Sequence, residues 1–336
     1  QFLARQYSSM KAWLDVIPRR ENRLWNYISE WKLGDWLDPA APSDDCGKAT
    51  TDPTFVSDTF LAHITTLMKS ISEILGEKED VQAYTVALEK IRSAFCHEYI
   101  TPAGLVANCT QTAFALAIQF NLIPSEEQEQ HAARYLSRII LESRYKIGTG
   151  FAGTPYIGHA LSKVGLTDVF YRMLLSRKNP SWLYPVTMGA TTVWERWDSM
   201  LPNGAINPGE MTSFNHYALG AVASWMHGFI LGFRIEEAGW KTITIEPTPG
   251  GGLKWAEGEY LSGYGIYRVR WKITQDSEMQ EESIWVEVRI PPNTAAKVKL
   301  PGLEEFKHVG SGSHSWKVPY QSTQWPPEPF VLPFGQ

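Results

Sequence analysis

Apolar positions recur every three to four residues along the first two thirds of the chain, and every second residue along much of the last third. Phe60, Ile64, Leu67, Met68, Ile71 and Leu75 fall on one helical stripe, with Pro53 suited to its first turn and Gly76 to its exit. Val81, Tyr84, Leu88, Ile91 and Phe95 form the next stripe. Gln111 to Leu122 is almost wholly apolar and is stopped by Pro124, which predicts a short helix buried on most sides. Ser125 and Gln128 form a capping box that opens a helix running to about Leu141. Shorter helices are predicted over 154–164 and 167–176, and a last one from Phe214 to Phe233. No strand alternates with these helices, which argues against a doubly wound sheet and for antiparallel helix pairs.

The period changes near residue 236. Tyr267, Val269, Trp271 and Ile273 alternate with Arg268, Arg270 and Lys272, and Ile284, Val286, Val288 and Ile290 alternate with Ser283, Trp285, Glu287 and Arg289. Ala296, Val298 and Leu300 keep the rhythm, and 247–252 (Pro-Thr-Pro-Gly-Gly-Gly) is a loop. Strands with one wet face, joined by Gly- and Pro-containing turns, predict an antiparallel sandwich. The expected domains are therefore helical over 1–235 and a β-sandwich over 236–336.

Composition narrows the function classes. The 336 residues are 43% hydrophobic and 20% charged, enough for real cores, and no apolar run is long enough to span a membrane. A net charge of -5 argues against nucleic acid as a partner. The three cysteines, Cys46, Cys96 and Cys109, are too few for a disulfide scaffold and read as reduced thiols. No Cys or His pairs have zinc spacing and there is no phosphate-binding Gly-Lys loop, so neither a metal nor a cofactor is expected. The sequon Asn108-Cys109-Thr110 hints at an extracellular setting, although no signal peptide is visible. The first residues read as the middle of an amphipathic helix, so the chain is expected to begin inside a larger protein. Tryptophan is as frequent as tyrosine and phenylalanine, 14 of each, and indoles offer the flat apolar faces with polar handles that sugars need.

Three constellations carry candidate chemistry. In Gly189-Ala190-Thr191-Thr192-Val193-Trp194-Glu195-Arg196-Trp197-Asp198 a carboxylate stands among indoles, and Met211-Thr212-Ser213-Phe214-Asn215-His216-Tyr217 follows closely. A partly desolvated Glu195 held ionised by Arg196 or His216 has the profile of a base that activates water. A structural ion pair between Glu195 and Arg196 is the competing reading, and His216, Trp194 and Trp197 have plain core or helix-end readings. In Gly34-Asp35-Trp36-Leu37-Asp38-Pro39, Asp35 and Trp36 could grip a polar ring, or form a turn with a packed indole. Gly148-Thr149-Gly150-Phe151-Ala152-Gly153-Thr154-Pro155-Tyr156 permits close backbone approach, without the preceding strand that a dinucleotide loop requires.

Together these runs, in this order and with Pro180 to Val186 between them, resemble the alpha-L-rhamnosidases of glycoside hydrolase family 78. The resemblance is dense over the first two thirds, and the last third matches in character only. It implies an (alpha/alpha)6 barrel followed by a β-sandwich, and inverting removal of terminal alpha-L-rhamnose from rhamnosides. It implies Glu195 as general base and His216 as a sugar contact, with Trp36, Asp35, Trp194, Trp197 and Tyr156 as further substrate-binding candidates. The family's general acid lies in an Asp-Glu-Arg-x-Gly-Trp-x-Gly-Asp run that these 336 residues lack. About eight helices are predicted where a six-hairpin barrel needs twelve. The barrel is thus expected to be incomplete here, with the upstream half of the same enzyme as partner and source of the acid. A non-catalytic carbohydrate-binding module and another (alpha/alpha)6 glycosidase are the alternatives.

Overall fold

The computed structural model describes residues 1–26, 33–275 and 281–325. They form two compact units, Gln1–Gly220 and Ala221–Gln336.

The first unit is helical: α1 (Phe2–Asp15), α2 (Pro53–Leu75), α3 (Lys78–Tyr99), α4 (Gln111–Gln119), α5 (Glu126–Glu142), α6 (Thr154–Lys163), α7 (Thr167–Leu174) and α8 (Leu183–Thr187). Local sequence sets their ends. Asp52 caps α2 by accepting the N–H groups of Thr54 and Phe55 at 2.7 and 3.2 Å, Pro53 occupies its first turn, and Gly76 leaves it at φ +79°. Thr110 caps α4 and Ser125 caps α5 in the same way. Every residue of α4 from Gln111 to Ile118 is buried, and α2, α5 and α6 pack around it. α1 docks through Tyr7, whose hydroxyl reaches Ser72 at 2.7 Å and Asp80 at 2.6 Å, beside a Lys11–Asp80 ion pair of 2.5 Å.

The helix expected over 214–233 does not form as one piece. A 3-10 turn (Ala218–Ala221), one α turn, α9 (Val222–Trp225), and a π turn (Met226–Ile230) replace it. The first residues are held elsewhere: the His216 N–H donates to the Val193 carbonyl at 2.8 Å, and the Ser213 carbonyl accepts the Glu195 N–H at 2.9 Å. These cross-links draw 213–216 alongside 193–195 and leave no free ladder for a helix to begin.

The second unit holds two four-stranded sheets. One has the order β1 (Phe233–Ile235), β2 (Thr242–Ile245), β6 (Ala295–Lys299), β7 (Phe306–Val309), and the other β3 (Trp255–Ser262), β4 (Gly265–Gln275), β5 (Glu282–Ile290), β8 (Gly312–Pro319). Alternation puts Tyr267, Val269, Trp271, Ile284, Val286 and Val288 wholly inside, with Ile243, Ile245 and Val298 from the other sheet. The ladders are antiparallel except β2–β6, which is parallel. Three strands of the other sheet intervene between β2 and β6, a connection long enough to return in the same direction.

Candidate active site

Glu195 lies in the irregular stretch 190–199, and its side chain is 14% exposed. Backbone bonds to 213–216 fix its position from both sides. Its Oε2 accepts the Ser213 N–H at 3.1 Å, and Oε1 takes no hydrogen bond from any described residue. The Nε2 of His216 stands 3.8 Å from that Oε1. Arg196 faces a different partner set: Asp198 at 3.3 Å and the Glu210 carbonyl at 3.1 Å. Of the two residues that could face Glu195, the structure places His216 there, and the Glu195–Arg196 pair is not formed.

Contacts close a circuit around this carboxylate. The His216 ring stacks on Phe151 with centroids 5.0 Å apart. The Phe151 N–H donates to the Trp36 carbonyl at 2.8 Å. The Trp36 indole N–H points at the Met211 sulfur, 3.3 Å away, and Met211 lies two residues before Ser213. Trp36, Phe151, Met211, Ser213, Glu195 and His216 therefore belong to one cluster built from four segments of the chain, around 36, 151, 195 and 211–216. Leu37 and Met211, both non-glycine, adopt φ +53° and +52°, so the backbone is strained on each side of the Trp36–Met211 contact. The strap carrying Met211 is anchored by the Glu210 N–H to the Ser43 carbonyl, 2.9 Å.

Asp35 sits beneath this circuit, 1% exposed. Its Oδ1 accepts the N–H groups of Ala152 (2.9 Å), Trp36 (3.2 Å) and Gly153 (3.4 Å). Its Oδ2 accepts the Thr112 hydroxyl (2.6 Å) and the Gly150 N–H (2.9 Å). Burial pushes the carboxyl up from the usual carboxylate range, and the Thr112, Gly150 and Ala152 donors pull against that rise. On this geometry the oxygens of Asp35 are taken by the protein, and it holds the 148–153 loop that presents Phe151. Gly150 must be glycine here, because a Cβ would lie 2.2 Å from the Trp36 carbonyl oxygen.

The remaining candidates fall outside the circuit. Trp194 and Trp197 are each 3% exposed. Trp194 packs edge-on against Tyr184 and Phe214, and Trp197 against Trp182 while donating to the Thr149 carbonyl at 3.2 Å. With Trp182, Val186 and Arg196 they line a cavity of about 330 Å3 that neither Glu195 nor His216 borders. Tyr156 points its ring into a cluster with Phe60, His63 and Phe120 on α2 and after α4. These three aromatics serve packing in this arrangement. Phe151, Met211 and Ser213 had no role assigned from sequence, and Ser213 acts through its backbone amide, which no residue type advertises. Among the described residues no group of His, Cys, Asp and Glu is arranged to hold a metal ion.

What such a cluster can do is limited and specific. It offers one carboxylate oxygen free to accept a proton, a cation-capable ring beside it, and one half-buried indole within the same circuit.

Two family models match the chain: the bacterial alpha-L-rhamnosidase 6 hairpin glycosidase domain over residues 1–230, and the bacterial alpha-L-rhamnosidase C-terminal domain over 232–315. An alpha-L-rhamnosidase of Formosa agariphila is 33% identical over 301 residues, covering 89% of this chain and 31% of that protein. The crystal structure of native alpha-L-rhamnosidase from Aspergillus terreus matches with TM-score 0.89 and 47% identity, over 94% of this chain and 36% of that one. The Streptomyces avermitilis alpha-L-rhamnosidase complexed with L-rhamnose matches with TM-score 0.82 and 34% identity, over 94% of this chain and 31% of that one. The chain thus spans about a third of the length of these relatives.

Proposed function

This chain belongs to the bacterial alpha-L-rhamnosidase family, and from that premise we propose that it supplies the base side of a catalytic centre hydrolysing terminal alpha-L-rhamnosides. Glu195 is the general base. The observation that carries the reading is its Oε1, which takes no hydrogen bond from any described residue and stands 3.8 Å from the Nε2 of His216 on a side chain that is 14% exposed. A water held there loses its proton to Oε1 as its oxygen attacks the anomeric carbon. Positive charge growing on the sugar ring is met by the carboxylate and by the electron-rich face of Trp36. The bond to the leaving oxygen breaks on the other side of the ring, and that oxygen takes a proton from an acid. Inversion follows if acid and base stand roughly 6.5–9.5 Å apart, which leaves room for the water. The acid comes from a segment outside these 336 residues, which contain no run of the family's acid-bearing type.

The test is Glu195→Gln in the complete enzyme, assayed on an aryl alpha-L-rhamnoside. Glutamine keeps an acceptor for the Ser213 N–H and cannot take the proton, so folding and L-rhamnose affinity persist while turnover falls on the order of 10²–10⁴-fold. Retained turnover in a folded variant rejects Glu195 as base. Proton NMR of the first product formed from the wild type decides between inversion and retention.

A further inference from the structure

The β3–β4–β5–β8 sheet carries an ordered row on its outer side that the reaction does not use. Register puts Trp255 opposite Lys272, Lys272 opposite Trp285, and Trp285 opposite Lys317. One line across four strands thus reads indole, ammonium, indole, ammonium. The flanking residues Trp271 and Val286 point the other way and are wholly buried, so this row faces outward. Trp255 is 63% exposed, Lys272 and Lys317 are exposed, and Trp285 is half-buried under the guanidinium of Arg270, 5.8 Å from its ring centre.

Charge on this face is distributed unevenly. In the neighbouring rows Arg268 pairs with Glu257 and with Glu259, and Arg270 pairs with Glu257, while Glu287 and Arg289 make no ion pair with any described residue and offset one another. Lys272 and Lys317 make no ion pair with any described residue. Two free ammonium groups therefore alternate with two indoles on a chain whose net charge is -5. Cross-strand packing alone accounts for tryptophan beside an aliphatic lysine stem. It gives no reason to leave most of Trp255 in water.

Adjacent strands lie about 4.8 Å apart, so the row advances by roughly one sugar residue per strand and the two indoles stand about 10 Å apart. Indole faces bury the C–H faces of pyranoses, and ammonium groups pair with carboxylates. We propose that this sheet face binds a polysaccharide bearing uronate residues, laid across the strands with sugar rings on Trp255 and on the face of Trp285 turned away from Arg270, and carboxylates at Lys272 and Lys317. A neutral glycan leaves the lysines without partners, and a purely electrostatic polyanion leaves the indoles without one. The proposal does not rest on Glu195 or on turnover.

Affinity electrophoresis of the full chain in gels containing polygalacturonate tests it. Retardation is expected with polygalacturonate and not with neutral dextran. Trp255→Ala and Lys272→Gln each weaken it about tenfold or more, corresponding to roughly 1.4 kcal/mol, with thermal melting unchanged. Moderate salt removes the lysine contribution and leaves the difference made by Trp255. Absence of retardation, or retardation equal in wild type and both variants, overturns the proposal. So does binding to dextran sulfate that depends on Trp255 as strongly as binding to polygalacturonate does, since that marks a general polyanion surface.

Discussion

A neutral imidazole carries its proton on only one nitrogen. The His216 Nδ1 accepts the Ala218 N–H at 3.2 Å, so in the neutral tautomer of that ring the proton sits on Nε2, the nitrogen that faces Glu195. At 3.8 Å the two do not hydrogen-bond directly, and Oε1 keeps its capacity to accept from water. The same logic of satisfied donors applies to Asp35, where it leads to a stability prediction. Five donors converge on one carboxylate, four of them backbone N–H groups that cannot turn away. Asp35→Asn sets an amide N–H against one or two of them, and each orphaned buried donor costs roughly 1–3 kcal/mol. The variant should lose about 2–4 kcal/mol in urea unfolding of the chain, and a change below about 0.5 kcal/mol refutes the role given to Asp35. The residue types at Trp36, Glu195 and His216 betrayed their place because carboxylate, imidazole and indole are chemically distinctive. Asp35 has two readings in the sequence, a grip on a polar ring and a turn beside a packed indole, because sequence carries no burial: the same side chain grips a ligand when exposed and braces a loop when enclosed. Ser213 was invisible for a different reason, since a backbone amide belongs to every residue except proline.

Elements were legible where an apolar period runs long enough to exceed chance. α2 announces itself through Asp52, Pro53, its stripe and Gly76, and β4 and β5 through strict alternation. The strands missed were β1 and β2, too short to show a period, and β3, β7 and β8, whose exposed positions blur it. The segment 214–233 misled because tertiary bonds to 193–195 outcompete helix formation. Packing between elements also sets a pH dependence. His63 on α2 stacks on Phe120 at 4.0 Å with planes 4° apart, against Phe60 and Tyr156, and His159 lies half-buried on α6. Burial holds both imidazoles below the usual histidine range. The unfolded chain binds protons as pH falls through about 6.5, whereas the folded chain resists until lower pH. Stability present above about pH 6.5 is therefore lost progressively as pH falls toward the folded-state values. Melting curves between pH 8 and 5 should show this decline, and His63→Phe, which keeps the stack and removes one proton site, should make it shallower. An unchanged slope in that variant contradicts the assignment.

At the scale of the whole molecule, the chain matches relatives about three times its length and lacks the acid-bearing run of their family. The helical unit also carries apolar side chains in water: Phe2, Trp13 and Val16 on or beside α1, Ile74 on α2, Val186 on α8, and Tyr217 at 88% exposure beside His216. Isolated exposed hydrophobics are ordinary, and larger contiguous patches mark sites where another protein docks. Both facts bear on the proposed division of labour. If Glu195 is the base and the acid lies on another segment, the glycosidic oxygen would have to depart from these 336 residues as an unprotonated alkoxide, so by themselves they should bind L-rhamnose weakly and turn over aryl rhamnosides at least 10²-fold more slowly than the complete enzyme. Adding or co-expressing a polypeptide with the acid-bearing run should restore the rate, and the restored activity should vanish again with Glu195→Gln. The comparison separates three cases once association and L-rhamnose binding are measured beside the rate. Full activity from the 336 residues alone places the acid within them and overturns the division of labour. Rescue that depends on Glu195 establishes it. Stable association with the added polypeptide, L-rhamnose binding and no turnover make the chain a carbohydrate-binding wall that has lost its chemistry.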